Sequence, residues 1–165
     1  LHGIRGCTLL DDTYNASPIA MEHSLKTLYS LEAKHKIAVL GDMNELGDIS
    51  ESEHKKIGKL CDPKQLDMLI TVGNLSKTYL APTAEANSCK VISLQSAPEA
   101  GEFLKSSDIK DATILFKGSQ GGIYLEEAIK PLLKNPADSQ KLVRQSPNWQ
   151  RIKAKFYDSL DRSRQ

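Results

Sequence analysis

Three short segments combine acidic, amide, hydroxyl and amino side chains directly after aliphatic runs. They are residues 11–18 (DDTYNASP), 41–48 (GDMNELGD) and 117–122 (KGSQGG). Carboxylates beside a helix start can hold the hydroxyls of a ribose. Three acids in one loop suit an amine or a metal-bound group, whereas lysine, hydroxyl and a glycine-rich approach to a helix suit an anion. The segments therefore predict a site for a polar, partly anionic ligand.

Each segment also has a purely structural interpretation. Asp11 and Asp12 can simply end a strand, while Asn15 and Ser17 can cap the following helix. The acidic loop at 41–48 can be a solvated surface loop. Spacing alone leaves both interpretations open.

Several familiar chemistries have no motif in these 165 residues. Neither a Walker A loop nor G-x-G-x-x-G occurs, and the four histidines lie singly without metal-ligand spacing. No nucleophile elbow and no patterned cysteine–histidine pair is present. We therefore predict no catalytic residue and no metal ligand in the chain. Its three cysteines are odd in number and unpatterned, which indicates reduced thiols and a cytoplasmic protein.

The elements that must position these segments follow from hydrophobic periodicity. Aliphatic runs predict strands at residues 7–10, 37–40, 68–72, 90–94 and 113–116. Helical patterns predict helices at 19–31, from a capping box at 50–53 onward, at 97–105 and at 123–133, with an irregular connection at 80–88. The strands are almost continuously apolar, which is typical of strands covered on both faces. The alternation predicts an α/β fold: a three-layer Rossmann-like domain with a mostly parallel sheet of about five or six strands.

The sequence changes character near residue 134, so we predict a domain at 1–134 and a tail at 135–165. Trp149, Ile152, Phe156 and Leu160 fall at helical intervals, which predicts an amphipathic helix docked on the domain. The tail from Lys134 carries a net charge of +5 and the remainder −4. A nucleic-acid-binding tail is one interpretation and a solvated cationic face is the other. We expect no nucleic-acid partner.

Length and composition indicate one globular domain with an appendage. Of the 165 residues, 39% are apolar and 26% charged, which is too apolar for a disordered chain. No apolar run reaches the roughly 20 residues that cross a bilayer, so we expect no membrane partner.

The three polar segments resemble motifs of the Mur ligases that add D-alanyl-D-alanine. Residues 11–18 resemble D-D-S-Y-N-A-N-P, residues 38–47 (AVLGDMNELG) resemble A-V-L-G-D-M-x-E-L-G, and residues 115–119 (LFKGS) resemble V-x-V-K-G-S. The motifs occur in family order across most of residues 7–133, with Thr13 and Ser17 as departures. Relatives that add diaminopimelate or lysine carry D-Y-A-H-T-P and G-K-G-H-E instead.

The resemblance implies the C-terminal domain of a three-domain, ATP-dependent amide ligase of peptidoglycan synthesis. Its substrates would be UDP-N-acetylmuramoyl-tripeptide and D-alanyl-D-alanine. ATP would phosphorylate the tripeptide carboxylate, and the dipeptide amine would attack the acyl phosphate. The N-terminal and central domains, with the P-loop and the Mg²⁺ ligands, would be partners of this chain. The chain alone is not expected to be active.

The resemblance also implies roles for individual residues at the ligand-binding rim. The ATP-binding residues would be Asp12, Tyr14 and Asn15. The substrate-binding residues would be Asp42 and Glu45 on the acceptor-amine side, with Lys117 and Ser119 at the dipeptide carboxylate or a nearby phosphate. We expect the Lys117 ammonium to emerge at the rim, with pairing to Asp12 or Asp42 as the alternative.

Two alternative functions follow from the same sequence. One is another Mur-like amide ligase of the folylpolyglutamate synthase type, against which the Tyr14–Asn15 pair in place of alanine–histidine argues. The other is a catalytically silent nucleotide-binding module. An upstream P-loop in the same reading frame would distinguish them.

Overall fold

A computed structural model describes residues 1–162 of the chain. Its centre is one five-stranded, all-parallel sheet with the strand order β1-β5-β2-β3-β4. The strands are β1 Thr8–Asp12, β2 His35–Gly41, β3 Met68–Val72, β4 Val91–Leu94 and β5 Ala112–Lys117. All five predicted strands are present, with ends shifted by at most two residues. The predicted α/β class is confirmed.

Within residues 1–162, six α-helices connect or follow the strands. They are α1 Pro18–Ser30, α2 Ser50–Leu60, α3 Ala81–Ala86, α4 Ala97–Ser106, α5 Glu126–Ile129 and α6 Pro147–Arg162. A π-helical turn, Ser76–Leu80, leads directly into α3, and short 3₁₀ turns precede α2 and follow α5. No helix in the described part of the chain is both long and apolar enough to cross a membrane.

Alternate residues of each central strand enter two separate hydrophobic cores. Ile37 and Val39 pack into the core shared with α4 and α5. Ala38 and Leu40 pack into the core shared with α1, α2 and α3. Period-two alternation sends successive side chains to opposite faces of a sheet. The sheet is therefore the middle of three layers, as predicted.

The helix predicted at 123–133 is much shorter than expected. Only α5 is α-helical, and the 3₁₀ turn Lys130–Leu132 follows it. Tyr124 has a φ of +50°, which a helix cannot accommodate. Pro131 lacks a backbone N–H, so it cannot continue the α-helical hydrogen bonds.

Two predictions of local structure are wrong, although α2 begins at Ser50 as predicted. The capping box at 50–53 does not form, because the turn Gly47–Ile49 runs straight into α2 and its Gly47 carbonyl accepts from the Ser50 N–H. The connection predicted to be irregular at 80–88 contains α3. Pro82 is the second residue of that helix, which continues directly from the π-helical turn Ser76–Leu80.

The tail helix α6 docks on the domain along the predicted stripe except at Ile152, whose place is taken by Lys153. The Tyr124 ring contacts Trp149 and Phe156 edge-to-face, with centroid distances of 6.4 and 5.4 Å. Ile152 is 37% exposed, whereas the Lys153 residue is 2% exposed. The buried stripe therefore includes a lysine. The boundary at 134 stays a prediction, and residues 163–165 of the predicted tail lie outside the described residues.

Candidate functional site

The three polar segments meet at the carboxyl edge of β1, β5 and β2. In the sheet register Asp12 of β1 lies beside Lys117 of β5, and Leu40 of β2 lies on the other side of Lys117. The Ser119 N–H donates to the Asp42 carbonyl at 3.0 Å, which ties the loop after β5 to the loop after β2. The predicted rim therefore exists as one continuous edge.

Asp12 and Lys117 form an ion pair at the centre of this edge. Lys117 Nζ lies 2.8 Å from Asp12 Oδ2 and donates to the Asn15 carbonyl at 2.9 Å. Ser24 Oγ donates to the same Asp12 oxygen at 2.5 Å. The Lys117 side chain is 3% exposed and that of Asp12 47% exposed. The expectation that the ammonium emerges at the rim is wrong, because β5 lies between two strands and the segment after β1 covers its end.

The backbone carbonyls of Thr13–Asn15 turn inward, whereas the Tyr14 and Asn15 side chains are exposed and Thr13 is buried. Arg144 donates to the Thr13 carbonyl at 2.6 Å and to the Tyr14 carbonyl at 3.0 Å. Tyr14 is 67% exposed, and Asn15 is exposed as well. The predicted cap of α1 is confirmed, since Ser17 Oγ accepts from the Ala20 N–H at 3.3 Å. Tyr14 and Asn15 are thus accessible beside the Asp12 carboxylate.

Asp42 serves as a buried cap for the helical segment that follows β3. It is 6% exposed, and its carboxylate accepts from the N–H groups of Ser76 at 2.6 Å and Leu75 at 3.1 Å. A carboxylate at a helix N-terminus is stabilised by the unpaired N–H groups and the helix dipole. Gly73 passes so close that a Cβ there would lie 2.5 Å from the carboxylate, and its φ is +105°. The Asp42 carboxylate therefore fixes the start of the helical segment that follows β3, beside the ligand-binding rim.

Ser119 and Glu45 differ sharply in exposure. Ser119 is 3% exposed, and its hydroxyl accepts from the Asn44 N–H at 2.8 Å. The Asn44 side chain donates to the Gly121 carbonyl at 2.7 Å. Glu45 is exposed and has a φ of +64°, so it marks the tip of the loop. The loops after β2 and β5 thus form one hydrogen-bonded unit with Glu45 on its surface.

His54 is fully buried and supports these two loops by a hydrogen bond to the backbone of Met43. Its Nε2 accepts from the Met43 N–H at 3.1 Å, and its Nδ1 lies 2.7 Å from the Ser50 carbonyl. An acceptor at Nε2 and a donor at Nδ1 correspond to the neutral imidazole with its proton on Nδ1. We assign His54 to loop support.

Arg144 and Glu126 belong to the site, although the sequence did not predict them. Arg144 reaches the rim from the tail and pairs with the fully buried Glu126. The only available signal was the positive charge of the tail, which is equally typical of a solvated face. Among the described residues, no group of three histidine, cysteine, aspartate or glutamate side chains is placed to hold a metal ion.

Comparison with known proteins places this chain in a family. The family model described as "Mur ligase, glutamate ligase domain" matches residues 1–120. The chain belongs to the Mur ligase family. The resemblance inferred from its three motifs is confirmed.

This Mur ligase chain is similar to individual relatives over most of its length. The UDP-N-acetylmuramoyl-tripeptide–D-alanyl-D-alanine ligase of Bacillus subtilis (strain 168) is 35% identical over 134 residues, which is 79% of this chain and 29% of the relative. The enzyme of that name from Synechocystis sp. is 34% identical over 129 residues, 78% of this chain and 28% of the relative. The Mur ligase chain thus spans less than a third of these relatives.

Solved Mur ligase structures have the same fold. MurF from Acinetobacter baumannii superimposes with a TM-score of 0.65 at 31% identity, covering 75% of this chain and 27% of that one. MurF ligase from Thermotoga maritima in complex with ADP gives 0.64 at 26% identity, covering 83% of this chain and 30% of that one.

Proposed function

We propose that this chain is the C-terminal domain of an ATP-dependent ligase that adds D-alanyl-D-alanine to UDP-N-acetylmuramoyl-tripeptide in peptidoglycan precursor synthesis. The observation that carries the proposal is the meeting of all three motifs at one edge of the sheet. Ligands of open parallel sheets bind beyond the carboxyl ends of the strands. The names of the relatives identify the reaction class that we assign to that edge.

The ATP side of the proposed site is formed by the segment after β1. Asp12 is half-exposed, so its carboxylate can accept hydrogen bonds from ribose hydroxyls while Lys117 and Ser24 hold it in place. Tyr14 and Asn15 offer an exposed ring and an amide for the wall beside the nucleotide. ADP in the Thermotoga MurF structure supports nucleotide binding in this family.

The acceptor side is formed by the loops after β2 and β5. We assign Glu45 to the dipeptide amine, because it is an exposed acid at the tip of the loop after β2. Asp42 and Ser119 shape this side through their buried hydrogen bonds to Ser76 and Asn44. Lys117 supplies positive charge beneath the dipeptide carboxylate or a phosphate, with two of its three ammonium donors engaged by Asp12 and Asn15.

The reaction requires that three reactants be held together while water is excluded. The tripeptide carboxylate attacks the γ-phosphate of ATP and ADP leaves; the dipeptide amine then attacks the acyl phosphate, loses a proton, and inorganic phosphate leaves. Positioning and electrostatic stabilisation account for most of the catalysis of such transfers. In our proposal this domain positions the nucleotide and the dipeptide. We assign the Walker A loop to another domain, because these 165 residues contain no such motif.

The described residues contain no group of three histidine, cysteine, aspartate or glutamate side chains placed to hold a metal ion. As the family resemblance implies, we assign the Mg²⁺ that accompanies ATP to the central domain of the ligase. The N-terminal and central domains are the proposed protein partners, and the cytoplasm is the proposed location.

A chimera tests the proposed function. The matching C-terminal segment of the Bacillus subtilis ligase is replaced by residues 1–165, and phosphate release is followed with ATP and UDP-N-acetylmuramoyl-tripeptide. We expect phosphate release that depends on D-alanyl-D-alanine, at a rate within about tenfold of the parent enzyme. The reason is that residues 1–165 and the segment they replace would present the same arrangement of binding residues. A chimera truncated before this domain is the control. A folded chimera without dipeptide-dependent release would contradict the proposal.

A further inference from the structure

Three successive backbone carbonyls after β1 are held by two buried cations. Arg144 donates to the Thr13 and Tyr14 carbonyls, and Lys117 donates to the Asn15 carbonyl. The side chains of Arg144 and Lys117 are 5% and 3% exposed. Backbone oxygens in a surface segment are commonly satisfied by water, so their capture by two buried side chains fixes the path of this segment.

The Arg144 guanidinium is itself fixed by Glu126. Its Nε donates to Glu126 Oε1 at 2.9 Å and its Nη2 donates to Oε2 at 2.6 Å. Lys153 of α6 lies 3.3 Å from the same Oε1 and also pairs with Glu127. A bidentate arginine–carboxylate pair is rigid because both groups are planar. The carboxylate thus orients the guanidinium, and Lys153 offsets part of the cost of burying the carboxylate.

This arrangement links the tail to the ligand-binding rim. Arg144 lies 131 residues after Thr13 in the chain, between the buried Leu142 and the start of α6. With the Thr13–Asn15 carbonyls drawn inward, the Tyr14 and Asn15 side chains face outward beside Asp12. A lysine at position 144 could not reproduce the contacts, because one ammonium cannot grip both carboxylate oxygens and two carbonyls in a plane.

We propose that Arg144 is a positioning residue for nucleotide binding, which the tail inserts beneath the Thr13–Asn15 segment with Glu126 as its anchor. The tail beyond residue 135 is thereby part of the functional site. The identity of the ligand rests on the proposed function; the positioning of the segment does not.

Amide hydrogen exchange of the 165-residue chain tests the positioning. We expect peptides covering residues 11–17 to exchange at least about tenfold faster in Arg144→Met and in Arg144→Lys than in the unmodified chain. Lys153→Met is the matched control, because it removes a cation from the same Glu126 without touching the carbonyls. Equal acceleration in Arg144→Met and Lys153→Met, or none in either, would overturn the proposal.

Steady-state kinetics of the chimera test the functional consequence. Arg144→Met should raise the KM for ATP about tenfold while kcat changes less than about threefold, because binding geometry is lost before chemistry. Lys153→Met should leave the KM for ATP within about twofold. An unchanged KM in Arg144→Met, or the same increase in both variants, would overturn the inference. An inactive parent chimera would instead contradict the proposed function, while the exchange measurement would still decide the positioning.

Discussion

Lys117 is an internal cation because its strand is flanked on both sides. Asp12 and the Asn15 carbonyl engage it, and only the carboxylate of this ion pair is half-exposed. An ammonium in such a position stabilises the fold as well as the site, since its removal leaves the Asn15 carbonyl without its donor and the Asp12 carboxylate without its counter-ion.

Lys117→Met should therefore lower both stability and activity. We expect the free energy of unfolding of the chain, measured in urea, to fall by about 1–3 kcal/mol, with part of the loss recovered because Asp12 can be hydrated. In the chimera, kcat/KM for the dipeptide should fall at least about thirtyfold.

The matched control for this substitution is Lys34→Met, which removes an exposed ion pair with Asp111 at 3.8 Å. Such pairs contribute about 0–1 kcal/mol. Equal effects of both substitutions on the free energy of unfolding would show that burial adds nothing to the Lys117 pair.

The substitution Asp12→Ala tests nucleotide binding more directly. Loss of a charge-assisted hydrogen bond to a ribose should raise the KM for ATP about tenfold to a hundredfold in the chimera. Asp11→Ala is the neighbouring control, since the Asp11 carboxylate bonds locally to Thr13. An unchanged KM together with a collapsed melting temperature would assign Asp12 a structural role.

The Cys61 thiol makes stability depend on pH. Burial raises its pKa to about 12, and the nearby Cys89 adds to the increase. The ordinary value of about 8.5 applies in the unfolded chain, so the thiolate forms there first. The contribution of Cys61 is complete below that value and is lost as pH rises towards 12.

We therefore expect the free energy of unfolding to fall more steeply between pH 9 and 11 in the unmodified chain than in Cys61→Ala. The slope in denaturation curves is the readout, because the substitution also creates a cavity that lowers stability at every pH. Identical slopes in the two proteins would contradict the buried, neutral thiol.

At the scale of elements, the helical segment after β3 is capped by Asp42, which belongs to the loop after β2. The Asp42 carboxylate accepts from the Leu75 and Ser76 N–H groups, whereas the buried Ser76 hydroxyl has no hydrogen-bond partner among the described residues. The Asp42 carboxylate and the Ser76 hydroxyl thus differ in their contributions to the stability of the fold.

Asp42→Ala should lower the free energy of unfolding by about 2–4 kcal/mol, because two N–H groups lose a charged acceptor. Ser76→Ala should leave it unchanged or raise it by up to about 1 kcal/mol, because a buried hydroxyl without a partner is removed. Urea denaturation of both variants decides the matter. A Ser76→Ala variant less stable than Asp42→Ala would reverse the assignment.

The elements differ in how far the sequence predicts them. Met68–Val72 is predicted to the residue because a continuous apolar run needs only local information. The return of β5 between β1 and β2 depends on pairing of distant segments, which periodicity does not encode. Without that strand order, Lys117 appeared to be an exposed rim residue. Arg144 was missed for a similar reason, because its partners are 18 and 131 residues away.

At the scale of the whole molecule, the strand order brings the three motifs to one edge of the sheet, and Arg144 of the tail contacts the segment after β1 at that edge. Two tail cations, Arg144 and Lys153, are consumed by internal ion pairs with Glu126, so they are not free to bind phosphates of a nucleic acid. Because the chain spans less than a third of its named relatives, its activity must be tested with the other domains present.

The most direct test of the central claim is the mass of the product formed by the chimera. With ATP, UDP-N-acetylmuramoyl-tripeptide and an equimolar mixture of D-alanyl-D-alanine and free amino acids, we expect a product extended by D-alanyl-D-alanine alone. The acceptor-side loops contributed by residues 1–165 would then select the dipeptide. A product extended by a single amino acid, or no extended product from a folded chimera whose parent enzyme is active, would contradict the assignment.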